Sequence, residues 1–191
     1  MLIARQSTEL DSLVERSRNL YAQRDELCAR RDALEDQRKE AAARAALGAP
    51  PLPLTAEQTR ELTALLNQGH AESEVLLHLL ANRVEPGVSK AAGVKAEWLE
   101  QAALGKVAVD DFPPEAAIGL LAQMGGGYNV AALIRLLDNE QLRQPAADAL
   151  RRLTKIYEAF DQVVALAGQN PAARSVLESW AAAEWFTASP Q

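Results

Sequence analysis

The chain is poor in the residues that most often carry chemistry. It has one cysteine, Cys28, and two histidines, His70 and His78. A single thiol excludes an internal disulfide framework and a cysteine-based zinc or iron–sulfur site within one chain, and it fits a reducing compartment. Aromatic residues make up only 5 %, so the apolar mass is mostly Ala, Leu and Val. Ala and Leu head the helix-propensity order, and runs of β-branched residues are few. No apolar run approaches the ~20 residues that span a bilayer, and Met1-Leu2-Ile3-Ala4 turns charged too soon for a signal-peptide core. These absences lead us to expect a cytoplasmic protein with no membrane partner. A basic excess is also missing. The net charge is −6; residues 1–46 hold nine basic and nine acidic side chains, and the remainder holds eleven basic and seventeen acidic. A surface that tracks phosphates needs the opposite balance, so the composition argues against nucleic acid.

Residues 5–46 contain neither Gly nor Pro and read as one long helix. Leu13, Leu20, Leu27 and Leu34 recur every seven residues, and Val14, Tyr21 and Cys28 widen the stripe. Glu26–Arg30, Glu35–Lys39 and Glu40–Arg44 have the favourable i,i+4 order for an exposed helix. The alternate heptad positions are Leu10, Ser17, Arg24 and Arg31, so a coiled-coil seam is narrow. Two readings stay open: a helix that recruits a second copy or a partner, and a helix whose stripe lies along its own body. Gly48-Ala49-Pro50-Pro51-Leu52-Pro53-Leu54 then forbids helix and marks a linker. The expected organisation is a long helix over 1–47, a proline-rich linker over 48–54 and a helical domain over 55–191.

Beyond the linker, apolar helical periods alternate with turn signals. Thr55 with Gln58 forms a capping box, and Leu62, Leu65 and Leu66 follow. Val75, Leu76, Leu79, Leu80 and Val84 give a second helix. Ser89 opens a third, with Val94, Trp98 and Leu99, and Pro113-Pro114 a fourth, with Ile118, Leu120 and Leu121. Asn129 is expected to cap a fifth. A sixth is predicted from Pro145 through Leu150, Leu153, Ile156, Phe160 and Val164 to Gly168, and Asn170-Pro171 opens the last. No alternating strand is found. Ala64-Leu65-Leu66 with Leu79-Leu80 is echoed by Gly119-Leu120-Leu121 with Leu136-Leu137. The predicted fold is all-α: a HEAT-like helical repeat, or short α-solenoid, preceded by a long N-terminal helix.

Few segments suggest chemistry. Met124-Gly125-Gly126-Gly127-Tyr128-Asn129 precedes a helix, but no strand comes before it and no Lys-Ser/Thr pair follows, so it reads as a tight turn rather than a phosphate cradle. His78, among leucines, reads as a partly buried packing residue. No metal-ligand cluster, paired carboxylates or serine nucleophile elbow is visible. Arg83, in Asn82-Arg83-Val84-Glu85-Pro86-Gly87, can cap helix carbonyls or anchor a partner. Trp180 and Trp185 point about 140° apart on a helix, so one can be core while the other faces outwards.

Three segments together carry a resemblance: Leu80-Ala81-Asn82-Arg83-Val84-Glu85-Pro86-Gly87-Val88, Met124-Gly125-Gly126-Gly127-Tyr128-Asn129 and Ser179-Trp180-Ala181-Ala182-Ala183-Glu184-Trp185-Phe186. In this order and spacing they resemble the N-terminal HEAT-like domain of bacterial aconitase B, over about residues 34–190. The resemblance implies a helical-repeat domain beside catalytic domains, serving protein recognition, self-association and access to the active site. Full enzymes of that family isomerise citrate and isocitrate on an iron–sulfur cluster held by three cysteines. This chain has no such cysteine set and begins with a leucine-striped helix foreign to the family's domain. We therefore expect no enzyme and no cofactor, but a protein–protein interaction module binding itself or a metabolic enzyme. Leu13, Leu20, Leu27 and Leu34 would offer a homodimer contact through the N-terminal helix, and Arg83, Tyr128, Asn129 and Trp185 a surface on the body. The alternative is a fragment of an aconitate hydratase B whose catalytic domains are absent here.

Overall fold

The computed structural model describes residues 2–69, 72–107, 109–153 and 159–182, with side chains described from residue 10. Among these residues every regular element is a helix, as the composition and periodicity lead one to expect, and the N-terminal helix is long. The chain divides into two units, Met1–Leu52 and Pro53–Gln191.

The first unit is α1, Leu2–Ala46. Leu10, Leu13, Val14, Leu20, Tyr21, Leu27 and Leu34 are all exposed on it. Several ion pairs on it join near neighbours in sequence. Arg24 and Arg31 each bind the adjacent Asp25 and Asp32 at 2.7 Å, and Lys39 pairs with Asp36 at 3.4 Å. Arg44 donates instead to the Pro50 carbonyl at 2.8 Å. The helix stops in a Schellman motif. Gly48, at φ 67°, donates to Ala45 O at 3.0 Å, and Ala49 donates to Arg44 O at 2.9 Å.

The second unit holds α2 (Ala56–Asn67), α3 (Ser73–Asn82), α4 (Lys90–Ala103), α5 (Pro114–Ala122), α6 (Tyr128–Leu136), α7 (Arg143–Arg151), α8 (Phe160–Ala167) and α9 (Pro171–Ala181). Local signals set their starts. Thr55 and Gln58 form the reciprocal capping box, Ser89 Oγ accepts from Ala92 N at 3.1 Å, Pro114 and Pro171 occupy first turns, and Asn170 caps α9. α4 lies at the centre, packed on α2, α5 and α6. It is accordingly buried almost all round, through Ala91, Ala92, Ala96, Trp98, Leu99, Ala102 and Ala103. α7 packs on α5 and α6, and α9 on α7 and α8. Of the echoed leucines, Leu66 and Leu80 in the α2–α3 pair and Leu121, Leu136 and Leu137 in the α5–α6 pair are fully buried, whereas Leu65 is exposed. Each of the buried ones contributes about 1.5–3 kcal/mol by leaving water. Buried polar groups join helices. Trp98 Nε1 donates to Asn67 Oδ1 at 2.8 Å, Asn170 Nδ2 to Leu137 O at 2.9 Å and Trp180 Nε1 to Leu150 O at 3.2 Å.

Three sequence expectations need correction. The single helix from Pro145 to Gly168 is two helices. α7 starts earlier, at Arg143, after Asn139 Oδ1 accepts from the N–H groups of Gln141 and Leu142 at 3.0 and 3.2 Å. It ends where Arg152 and Leu153 bond three residues back, to Ala149 and Leu150, which tightens and closes the turn. Leu150 and Leu153 before the break and Val163 after it reach the core, whereas Phe160 and Val164, on which the single-helix reading rested, are exposed; Ile156 lies outside the described residues. Second, His78 is exposed. α3 buries Leu76 and Leu80, and a residue two places from each falls on the opposite face. Asn82 Nδ2 donates to the His78 carbonyl at 2.9 Å there. Third, Asn129 does not cap α6. The N-cap is Gly127, and Asn129 sits inside the first turn, fully buried.

Candidate interaction cleft

α2, α4 and α6 leave an open cleft of about 580 Å³ between them. Arg60 faces it from α2, Lys90, Glu97 and Glu100 from α4, and Tyr128 and Arg135 from α6. Tyr128 packs against α4 at Gly93: a Cβ there would lie 3.5 Å from the ring, an ordinary van der Waals contact. The ring therefore lies along the α4 backbone while remaining half exposed.

The charges differ in how well they are matched. Arg135 holds Glu100 bidentately, Nε to Oε1 at 2.7 Å and Nη2 to Oε2 at 2.5 Å. Glu100 is only 7 % exposed, so this pair compensates a carboxylate withdrawn from water. The Glu100 hydrogen bond raises the Arg135 pKa above its ordinary value; partial burial opposes it, and the charges of Glu100 and Glu97 add to it. Arg60 pairs with Glu57 at 3.5 Å, at the long end of an ion pair. Among the described residues Lys90 makes no ion pair. The cleft thus holds one tight ion pair, Arg135 with Glu100, together with Arg60 and Lys90, which are more loosely engaged, the Glu97 carboxylate and the Tyr128 ring.

Behind the cleft, the two glycine-bearing loops meet. Gly127 has φ 94°, and a Cβ on it would fall 2.5 Å from Gly87 O, 2.9 Å from Gly87 C and 3.0 Å from Val88 Cγ1. The α3–α4 and α5–α6 loops therefore touch backbone to backbone, through a residue that only glycine satisfies. Asn129 pins the same corner, donating from Nδ2 to Leu121 O at 2.7 Å. Its Oδ1 is buried with no hydrogen-bond partner among the described residues. Lys95 is 4 % exposed and donates to Ala81 O at 3.0 Å, placing its charge at the C-terminal end of α3. Burial lowers its pKa.

The residues singled out from the sequence fall in different places. Tyr128 lines the cleft. Asn129, expected on the surface, belongs to the core for the reason just given. Arg83 is half-buried and closes α3, its N–H donating to Leu79 O at 2.8 Å and its carbonyl accepting from Leu54 N at 2.7 Å. Trp180 is core, against Phe160 with ring centroids 6.2 Å apart. Trp185 and His70 lie outside the described residues. Leu13, Leu20, Leu27 and Leu34 are exposed on α1. Sequence reading missed Arg60, Lys90, Glu97, Glu100 and Arg135, because a lone charge on a helix looks like any solvated face. Glu100 and Arg135 lie 35 residues apart, and no local spacing announces their pairing.

Fold and cleft together define an all-helical domain whose polar groove is built by three packed helices. The family described as the aconitate B N-terminal domain matches residues 36–186, and the chain belongs to it. Aconitate hydratase B of Pseudomonas aeruginosa is 45 % identical over 160 residues, covering 83 % of this chain and 18 % of the relative. The Escherichia coli (strain K12) protein of the same name is 46 % identical over 160 residues, 82 % of this chain and 18 % of the relative. That of Helicobacter pylori is 39 % identical over 158 residues, again 82 % and 18 %. The chain thus spans under a fifth of the length of these relatives.

These relatives overturn one expectation. The chain was expected to stand apart from enzymes, yet the proteins it matches at 39–46 % identity are named as an enzyme, aconitate hydratase B. What the chain shares is a portion of that enzyme. The iron–sulfur cluster attached to full enzymes by the resemblance finds no fit here. It needs three cysteine thiolates, and the chain has one, Cys28, exposed on α1. Among the described residues no three His, Cys, Asp or Glu side chains converge to hold a metal. Among them, too, no helix is long and apolar enough to cross a membrane.

Proposed function

We propose that the chain serves aconitate hydratase B chemistry as its N-terminal domain, and that it works there by binding protein. The family match carries this reading: it takes in α2, α4 and α6, the three walls of the cleft. In the relatives, most of the polypeptide lies outside the matched region, and that remainder is the natural occupant of the body's surfaces. The cleft suits a segment bearing a carboxylate. Lys90 and Arg60 supply charge not already consumed by a bidentate partner, and Tyr128 supplies a face on which an apolar or aromatic side chain can pack. An opening of this size without deep enclosure suits an extended side chain and its backbone better than a sequestered small molecule.

A second reading, that the chain is itself a piece of a longer aconitate hydratase B, draws equal support from the match. In it the same surface faces the rest of its own polypeptide. Both are tested by mixing the chain with an aconitate hydratase B lacking the corresponding N-terminal region, both folded by circular dichroism. The expected result is a complex by light scattering, weakened at least tenfold in Lys90→Glu and at high salt, with a changed rate of aconitate hydration. No complex well above micromolar concentration, or a complex indifferent to Lys90, would refute the cleft as its site.

A further inference from the structure

We propose that α1 is a self-pairing helix whose occupant is α1 of a second copy, running antiparallel and centred on Ala22. This concerns Leu10 to Leu34, which precede the family match at residue 36, and it does not rest on the cleft.

The leucine stripe of α1 is exposed along its length. Leu13, Leu20, Leu27 and Leu34 form one seam position, and Leu10, Ser17, Arg24 and Arg31 form the other. Leu27 is 66 % exposed and its neighbours on the stripe are similarly open. In a parallel pair each seam residue meets its own copy. Two of the eight layers then stack Arg24 on Arg24 and Arg31 on Arg31, and one stacks Ser17 on Ser17. In an antiparallel pair the two seam positions face each other. With the dyad at residue 22, Leu10 meets Leu34 of the second copy, Leu13 meets Arg31, Ser17 meets Leu27, and Leu20 meets Arg24. Every layer then contains a leucine and none stacks arginine on arginine. The flanking positions agree: Tyr21 meets Tyr21 across the dyad, and Val14 meets Cys28, so one side of the seam gains apolar cover.

The arginines are already arranged for this. Arg24 turns its guanidinium to Asp25, at 3.0 and 2.7 Å, and lies 5.1 Å from the centroid of the Tyr21 ring. Arg31 binds Asp32 in the same way, at 3.0 and 2.7 Å. With their charges matched at the helix surface, the aliphatic stems are left to cover the facing leucines. The like-charged flank, Arg16 beside Arg30 of the second copy, lies at the solvent edge, where salt screens it.

Spin labels separate the outcomes. In Cys28→Ser chains, a label at Ala43→Cys reads roughly 60 Å between copies if the pair is antiparallel about residue 22, at ~1.5 Å per residue; a parallel pair reads roughly 20 Å, little more than the width of two helices. A label at Ala22→Cys reads the short distance in either case and reports pairing itself. The expected result is a dimer by light scattering, the long distance at 43 and the short one at 22. Leu20→Arg, which opposes arginine to arginine in two layers of the antiparallel pair, should weaken the dimer at least tenfold. The body's thermal transition, followed by Trp98 and Trp180 fluorescence, should stay unchanged. A monomer at high concentration, a short distance at 43, or a dimer indifferent to Leu20→Arg would each overturn the proposal. A monomer whose Leu20→Arg variant loses body stability would assign the stripe to its own chain instead.

Discussion

Gly127→Ala tests the loop contact behind the cleft most directly. The backbone at Gly127 has φ 94° and ψ −131°, a region open to glycine and strained for alanine by about 1–3 kcal/mol. The added methyl would also fall 2.5 Å from Gly87 O and 2.9 Å from Gly87 C. Both are backbone atoms, so no rotamer change relieves the clash and the loops must part. Overpacking of that kind costs about 1–3 kcal/mol. The two effects together come to about 4 kcal/mol, a large share of the 5–15 kcal/mol that holds a typical domain. At roughly 2–4 °C per kcal/mol for a chain of this size, the thermal midpoint should fall by roughly 8–16 °C. Two neighbours calibrate the result. Gly125 also has positive φ, 73°, but a Cβ there meets nothing within 4 Å, so Gly125→Ala carries only the conformational cost of about 1–2 kcal/mol. Gly93 is helical, and its Cβ would make ordinary contact with Tyr128 at 3.5 Å. Gly93→Ala should therefore raise stability by up to about 1 kcal/mol through helix propensity. Calorimetry of the three variants should rank them Gly93→Ala above wild type, then Gly125→Ala, then Gly127→Ala. If Gly127→Ala falls no further than Gly125→Ala, the two loops do not approach as described.

Removing one partner of the cleft ion pair should be asymmetric: Arg135→Ala strands the buried Glu100 carboxylate and should cost about 1–3 kcal/mol in urea unfolding, whereas Glu100→Gln leaves an exposed guanidinium that water can solvate and should cost less. Lys95 should make stability depend on alkaline pH. Its folded pKa lies below 10.5 because burial disfavours the ammonium, so the native state sheds its proton first and wild-type stability should rise, relative to Lys95→Met, as pH climbs from that lowered pKa towards 10.5; a difference that stays flat with pH would show Lys95 to be solvated. Thr55→Ala should remove the side-chain half of the capping box, the Gln58 N–H bond to Thr55 Oγ1, while the backbone N–H at 55 keeps its bond to Gln58 Oε1; the cost should be about 1 kcal/mol, with faster amide exchange in the first turn of α2.

Helix starts were legible because each rests on one or two adjacent residues. Thr55 with Gln58, Ser89, Pro114 and Asn170-Pro171 could be read from sequence and hold in the structure. Asn129 was misread because its residue type suits a cap, whereas its burial depends on α5, whose Leu121 carbonyl it binds. The α7–α8 break was hidden for a related reason. A helical period of apolar residues survives a turn if both flanks pack on the same core, as Leu150 and Val163 do. The cleft was least legible. Its charges are contributed by three helices, and the pairing of Glu100 with Arg135 exists only after α4 and α6 pack. The glycine-bearing motifs were visible, but that Gly87 and Gly127 touch follows from packing and not from spacing.

The expectation that failed outright concerned enzymes, and its failure follows from length. The single cysteine and the lack of a recognisable acid–base pattern describe these residues alone. They say nothing of the larger enzyme to which such a portion corresponds, and the relatives extend over more than five times the matched length. Sequence did mark a boundary within the chain. The leucine ladder of α1 ends at Leu34; its next position is Ala41, and the family match begins at residue 36. One continuous helix therefore changes character where the shared domain starts, with no glycine or proline to mark the change. An apolar ladder that stops near the edge of the family match fits the pairing proposed for α1, which concerns residues ahead of the matched 36–186. That is why the pairing of α1 and the occupancy of the cleft should fail or succeed independently: Leu20→Arg should leave complex formation through the cleft intact, and Lys90→Glu should leave the dimer intact. Loss of both by either variant would mean that the two surfaces act as one.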